Sequence, residues 1–276
     1  MKSEIRYNEP PEIYHATRAI SKSGMDKLRQ APAKFKAWID GAAEEETEAL
    51  LFGSVFHCLA LEPGEFGKRY AVKRFNGSTK AGKEEAATAK AAGLELVPAR
   101  IYEPALAMAE SVWNHPLIGQ IMTAVDKRTE TSIYWSETVD GTEIPCKARL
   151  DMLATVPGFG LVAVDLKSTD DASPEGLSRS VLKWGYHRQA VWYRRALRAV
   201  GMDSSVFVLV AVEKAAPHLV TAANVSEAAQ QVGLEEIKDA LGTYATCAES
   251  GLWPGYASEI IDLDLPEWAY KRRFAA

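Results

Sequence analysis

Residues 162–170 read VAVDLKSTD, and the interpretation of this stretch decides the fold. An apolar run ends in Asp165 and Lys167, two residues apart. Side chains along a strand alternate with period two, so both groups point to one side. An acid and a lysine on one face, at the end of an apolar strand, suit an edge where water, a metal ion and a charged substrate meet. Upstream, CKARLDMLATV (146–156) places a second acid, Asp151, within strand-like sequence. Pro157, Gly158 and Gly160 turn the chain between these two segments. Asp140-Gly141 is a hairpin signal between TSIYW and EIPCKARLDML. Three strands with such short links favour antiparallel neighbours. SSVFVLVAVEK (204–214) adds another apolar strand after an intervening helix, so the core is α/β with mixed strand directions.

The 276 residues are enough for a substantial core, and 47% hydrophobic with 25% charged residues is ordinary for a folded protein. A formal net charge of -5 carries no global nucleic-acid signature. It leaves room for a local basic groove. Cys58, Cys146 and Cys247 are far apart and form no CxxC unit, which argues against a disulfide scaffold and for a reducing cytoplasm. No signal-peptide run opens the sequence, and no segment approaches the ~20 uninterrupted apolar residues of a membrane span. A secreted or spanning protein is not expected.

Along the chain, residues 1–16 are polar, contain Pro10 and Pro11, and read as an extended arm. Ser21 or Ser23 can cap a helix to about Gln30, and Pro32 can open another to Ile39, with Met25, Leu28, Phe35 and Trp38 as anchors. Gly41–Glu46 is an acidic connector. ALLFGSVFHCLALEP (49–63) is helical and ends at Pro63. On it, His57 shares a face with Gly53 and Ser54. Taken alone, it is either a buried, hydrogen-bonded histidine or a metal ligand. RFNGSTKAGKEEAATAKAAG (74–93) has the composition of a flexible or weakly helical crossover. Its charges form a solvated face or, beside a nucleic-acid groove, a phosphate-holding arm. A helical pattern resumes to residue 122, interrupted at Pro116, with Met108, Val112, Leu117 and Ile121 in the core. Glu130 precedes the first central strand, as a solvated strand end, an outer acid or a third carboxylate of the site. Pro174 opens a long helix from Glu175 to Ala199, on which Tyr186, Gln189 and Tyr193 share one face and Arg188, Arg195 and Arg198 another. A final helix over 226–247 and an irregular tail with a short strand complete the chain. The expected organisation is one domain over 1–276. It has an N-terminal arm and helices (1–47), a catalytic core (48–225), and a C-terminal helix and tail (226–276).

Asp151 and Asp165 are hard oxygen ligands of the kind that bind Mg²⁺ or Mn²⁺. Lys167 beside such an ion can position or help deprotonate water, or offset charge on a phosphate undergoing attack. A surface Asp–Lys pair is the bland alternative.

The spacing Asp151-(13 residues)-Asp165-Leu166-Lys167 resembles the PD-(D/E)XK nuclease core, with Leu150 where the family usually has proline. With LLFGSVFHCLALEP before it, WGYHRQAVWYRRAL after it and YHATRAISKSGMDKLRQAPAKF near the start, the chain resembles the RecE-like, phage-type exodeoxyribonuclease VIII family over nearly its whole length. The resemblance implies a restriction-endonuclease-like core, a mixed central sheet flanked by helices, with a helical N-terminal elaboration. It implies His57, Asp151, Asp165 and the Leu166 backbone carbonyl as metal ligands. Lys167 matches the active-site lysine, and Gln189 and Tyr193 match the Q-x(3)-Y element beside the catalytic centre and DNA. Tyr186 would stack on or contact sugar-phosphate, and Arg188, Arg195 and Arg198 would hold phosphates. The implied activity is Mg²⁺-dependent, with Mn²⁺ a substitute: 5′-to-3′ degradation of linear double-stranded DNA ends in phage-type recombination. Implied partners are a single-strand annealing protein and further copies of the chain in a ring, such as a tetramer. The alternatives are a structure-dependent endonuclease and a catalytically silent DNA-binding module.

Overall fold

The computed structural model describes residues 2–42, 47–204 and 206–271. Strand β1 (Glu4–Arg6) precedes helices α1 (Pro11–Ala16), α2 (Lys22–Gln30) and α3 (Pro32–Ile39). Helices α4 (Glu48–Leu61) and α5 (Phe66–Arg69) lead to β2 (Tyr70–Lys73), α6 (Lys80–Ala91) and β3 (Glu95–Pro98). Next come α7 (Ala99–Asn114) and α8 (Ile118–Met122), then the long strands β4 (Arg128–Val139), β5 (Thr142–Val156) and β6 (Gly160–Thr169). Helices α9 (Pro174–Trp184) and α10 (Tyr186–Ala199) connect β6 to β7 (Val206–Glu213). Strand β8 (Val220–Asn224), α11 (Glu227–Ser250) and α12 (Glu267–Lys271) follow.

The main sheet has the order β1-β4-β5-β6-β7-β8. Its turns follow from residue chemistry. Asp140 and Gly141 both take positive φ, 49° and 82°, as a tight hairpin requires, and β4 and β5 pair antiparallel from Val139↔Thr142 onward. Strand β7 returns by way of α9 and α10 and pairs parallel to β6; every other neighbour in this sheet is antiparallel. Each face of the sheet buries an apolar layer. One layer joins Ile133, Trp135, Leu150, Ala163 and Leu209 to Met25, Leu28, Phe35, Trp192 and Ile237. The other joins Met152, Val164, Leu166 and Val210 to Val55, Phe56, Met108 and Val112. Thus α4 and α7 cover one face, and α2, α3, α10 and α11 the other. Ser21 caps α2 by accepting the Gly24 amide, and Pro32 opens α3.

Several local expectations change. The N-terminal arm is an edge strand and a short helix: Glu4, Ile5 and Arg6 find partners on β4, and Pro11 sits in the first turn of α1, where its missing N–H costs nothing. Residues 70–98 form an ordered strand–helix–strand unit whose two strands are parallel; Thr79 caps its helix. The long helix from Glu175 divides at Gly185, whose φ of 66° ends α9 in the left-handed region. Leu117 is 47% exposed because it stands at the N-terminal boundary of α8, outside the face carrying Ile118 and Ile121. The additional strand is β8, and residues 252–266 contain none. Most of the acidic connector, 43–46, lies outside the described residues.

Candidate active site

The site arises where two strands part. The β5–β6 ladder runs from Val156↔Gly160 to Met152↔Val164 and stops, while β6 stays paired with β7 through Thr169. Beyond Val164, the Leu166 N–H and C=O face a gap left by β5. Buried backbone polar groups need partners. The Leu166 amide donates to Asp151 Oδ2 at 2.7 Å, and its carbonyl accepts from His57 Nε2 at 2.8 Å. A carbonyl cannot donate, so Nε2 carries the proton in this arrangement. His57 Nδ1 lies 3.7 Å from Asp151 Oδ2. The fork therefore brings together His57, Asp151 and the Leu166 carbonyl, from α4, β5 and β6.

Asp165 is fully buried. Its Oδ1 accepts from Gln189 Nε2 at 2.7 Å, and the same amide group donates to the Tyr193 hydroxyl at 2.8 Å. Asp165 Oδ2 lies 2.6 Å from Lys167 Nζ. This buried oxygen is therefore ion-paired with the ammonium. Burial pushes the Asp165 carboxyl up to about 6, Asp151 adds to the rise, and Lys167 opposes it. Burial also pushes Lys167 down, but the charges of Asp165 and Asp151 outweigh it and hold the ammonium above its usual range. Tyr186 places its ring 5.3 Å from Lys167 Nζ.

Helix α10 can hold Gln189 in register because Trp192, one turn further on, is anchored. Trp192 is fully buried, donates to the Lys147 carbonyl at 3.0 Å and packs on Trp135. Burial of a side chain of this size contributes on the order of 3 kcal/mol.

The remaining sequence candidates fall into two groups. Glu130 lines the same cavity of about 590 Å³ as His57, Asp151, Gln189 and Tyr193. It lies within β4 at φ 48°, with its carboxylate 2.6 Å from Arg149 Nε. Of the arginines, Arg188 lines a second cavity together with Lys167, Tyr186 and Gln189. Arg188 is engaged by Asp26 at 3.1 Å and by Glu236, and Arg195 by Glu137 at 2.9 and 3.1 Å. Arg198 sits at the surface beside Asp203. Lys147 and Arg149, which also line the cavity, were not singled out in the sequence. The period-two alternation leading to Asp151 on β5 was the available signal.

Among the described residues, no group of three or more His, Cys, Asp or Glu side chains stands arranged to hold a metal ion. Asp165 instead faces Lys167 and Gln189, and His57 Nε2 is spent on the Leu166 carbonyl. The donor chemistry nevertheless fits a divalent ion. Two carboxylates, a carbonyl and an imidazole suit Mg²⁺ or Mn²⁺, the imidazole favouring the latter. Asp165 is held by Lys167 and Gln189, and its carboxylate oxygens retain lone pairs for an ion.

This fold and cluster have counterparts. Residues 21–264 match the family described as a PDDEXK-like domain of unknown function (DUF3799), and the chain belongs to that family. No curated protein matches it. Among solved structures, it is similar to a "Putative exonuclease" from Eubacterium rectale. That similarity has 15% identity and a TM-score of 0.59, covering 95% of this chain and 96% of the other. A weaker similarity links it to the structure of SSO0001, with 12% identity and a TM-score of 0.32 over 85% and 87% of the two chains. The α/β architecture, a mixed central sheet flanked by helices, is consistent with a PD-(D/E)XK-like core.

Proposed function

We propose that the protein is a divalent-metal-dependent exodeoxyribonuclease that degrades linear double-stranded DNA from 5′ to 3′. The observation that carries the chemistry is the strand fork, where His57, Asp151 and the Leu166 backbone are joined and the paired Asp165 and Lys167 flank Leu166 on β6. Family membership and the fold shared with the Eubacterium rectale protein support the nuclease class. Polarity, preference for duplex ends, a ring of copies and an annealing partner come with the RecE-like resemblance and form part of the same proposal.

His57, Asp151, Asp165 and the Leu166 carbonyl would hold Mg²⁺ or Mn²⁺, which supplies Lewis acidity toward the scissile phosphodiester. Lys167 stays protonated at neutral pH, since the neighbouring carboxylates hold its proton. It therefore acts by donating to, and offsetting charge on, the phosphate as attack proceeds. Gln189 fixes the orientation of Asp165, and Tyr193 fixes Gln189. Tyr186 offers a ring face beside Lys167 for sugar or base.

Linear duplexes labelled at the 5′ or the 3′ end, together with a covalently closed circle, test the proposal. The expected result is divalent-ion-dependent release of label from 5′ ends with the circle intact. Cleavage of the circle would establish an endonuclease instead, and initial loss of 3′ label would reverse the polarity.

A further inference from the structure

The β2–α6–β3 unit is charged unlike the rest of the chain. Residues 70–98 carry five lysines and arginines against three glutamates, in a protein of net charge -5. Lys68 and Arg69, at the base of the unit, are neutralised by Glu65 and Glu62 at 2.7 and 2.8 Å. Further out the cations are free: among the described residues, Lys73, Arg74, Lys83 and Lys90 have no side-chain ion pair. Lys80 has a single loose contact with Glu84 at 3.9 Å, with both side chains largely in water. Glu85 faces inward, accepting the Arg74 and Phe75 amides at 2.9 and 3.2 Å, so it shapes the turn rather than pairing with a cation. Phe75 stands 49% exposed among these charges.

The turn is built to one shape. Asn76 accepts from the Ser78 amide at 3.0 Å, and its carbonyl accepts from the Thr79 hydroxyl at 2.7 Å. A Cβ at Gly82 would come within 2.0 Å of that carbonyl, so the close approach of helix and turn requires glycine. The unit also adjoins the cleft. Glu62, the C-cap of the helix that carries His57, contacts both Arg69 and Thr129, the neighbour of the cavity-lining Glu130. Four strand residues then carry the chain about 13 Å to the free cations. That distance is well under one turn of duplex, about 34 Å.

We infer that the β2–α6–β3 unit is a second DNA-contact surface, on which Lys73, Arg74 and Lys83 track phosphates of the duplex outside the catalytic cleft. The inference rests on the nuclease reading for its substrate and adds to it the surface that grips uncut DNA. Free cations without an array of base-reading amides give sequence-independent grip. Phe75 adds an apolar contact to the sugar edge. On α10, by contrast, Arg188 and Arg195 are already held by carboxylates.

The test is binding of a 30-base-pair blunt duplex by fluorescence anisotropy, in Ca²⁺, over a salt series. It compares the wild-type chain with the triple variant Lys73→Gln, Arg74→Gln, Lys83→Gln. Each lost phosphate contact lowers the salt slope by about 0.9, so the expected fall is about 2 to 3, with affinity down at least tenfold at 0.1 M salt. Melting temperature and Mn²⁺ affinity should not change. An unaltered slope in the folded variant overturns the inference. So does loss of polyglutamate binding with the duplex slope intact, which would assign the surface to an acidic protein. Because no cleavage is read, the result is separable from the nuclease proposal. Wild-type protein that binds with the expected slopes but cuts nothing would refute the catalytic reading alone. Protein that cuts as proposed, with no effect of the triple variant, would refute this surface alone.

Discussion

Replacing Lys167 with methionine isolates the electrostatic core of the site. Lys167 Nζ lies 2.6 Å from Asp165 Oδ2, inside a pocket where Asp165 is fully buried. Burial has raised this carboxyl to about 6 even with the lysine present. An opposite charge at such range shifts a carboxyl by about 1 to 3 units, so removing it moves Asp165 to about 7 to 9. At pH 7 the ionised fraction then falls from about nine-tenths to between about one-half and one-hundredth. Only the ionised carboxylate binds metal, so proton and metal compete. Mn²⁺ affinity of Lys167→Met at pH 7 should drop about 2- to 100-fold and recover as pH rises toward about 9. The assay is Mn²⁺ titration by calorimetry or electron paramagnetic resonance from pH 5 to 9.5, which reads binding without requiring turnover. In the wild type, affinity should begin to fall as pH drops through about 6. A folded Lys167→Met whose binding midpoint stays at the wild-type pH would refute the reasoning.

Three further outcomes follow from the same geometry. His57→Ala should lower metal affinity at least tenfold and leave the buried Leu166 carbonyl unpartnered, costing about 1 to 3 kcal/mol in denaturant unfolding; unchanged Mn²⁺ affinity would return His57 to a structural role. Gly185→Ala should destabilise by about 1 to 2 kcal/mol, since φ is 66° and the new Cβ would meet Arg188 Nη2 at 2.1 Å. It should also slow turnover through displacement of Gln189, and wild-type stability with wild-type turnover would contradict this role for the break. Burial lowers Lys147 to about 8 while its ammonium donates to the Tyr14 and Thr17 carbonyls at 2.7 Å. A folded-state value below the unfolded one means the unfolded chain binds more protons, so stability rises between about pH 8 and 10.5, by up to about 3 kcal/mol. Lys147→Met should remove that rise, and a pH–stability curve identical to wild type would contradict it.

What the sequence revealed depended on how local the determining physics was. The Asp140-Gly141 turn, the Ser21 cap and the Pro32 start are decided by residues within four positions, and each is found where the sequence places it. The Asp165–Lys167 spacing likewise fixes one side of β6. The short parallel strands YAVK and ELVP were not legible, because their pairing depends on a helix between them and four residues carry too little periodicity. Gly185 was hidden inside a continuous helical pattern, since glycine in a helix is costly but tolerated. The stripe of Arg188, Arg195 and Arg198 is real as helical periodicity. Its carboxylate partners Asp26, Glu236 and Glu137 come from three other elements, and no single-segment pattern can display them. The splitting of β5 from β6, which frees the Leu166 carbonyl, is also a property of the sheet and not of either strand alone.

The central claim is that His57, Asp151, Asp165 and the Leu166 carbonyl form one divalent-metal centre at that split. Anomalous diffraction from crystals soaked in Mn²⁺ tests it directly. One strong peak is expected within about 2.5 Å of a carboxylate oxygen of Asp151, a carboxylate oxygen of Asp165 and the Leu166 carbonyl, with the His57 imidazole released from that carbonyl and turned to the ion. A saturating soak that leaves the fork empty, or places manganese elsewhere while His57 keeps its hydrogen bond to Leu166, would contradict it.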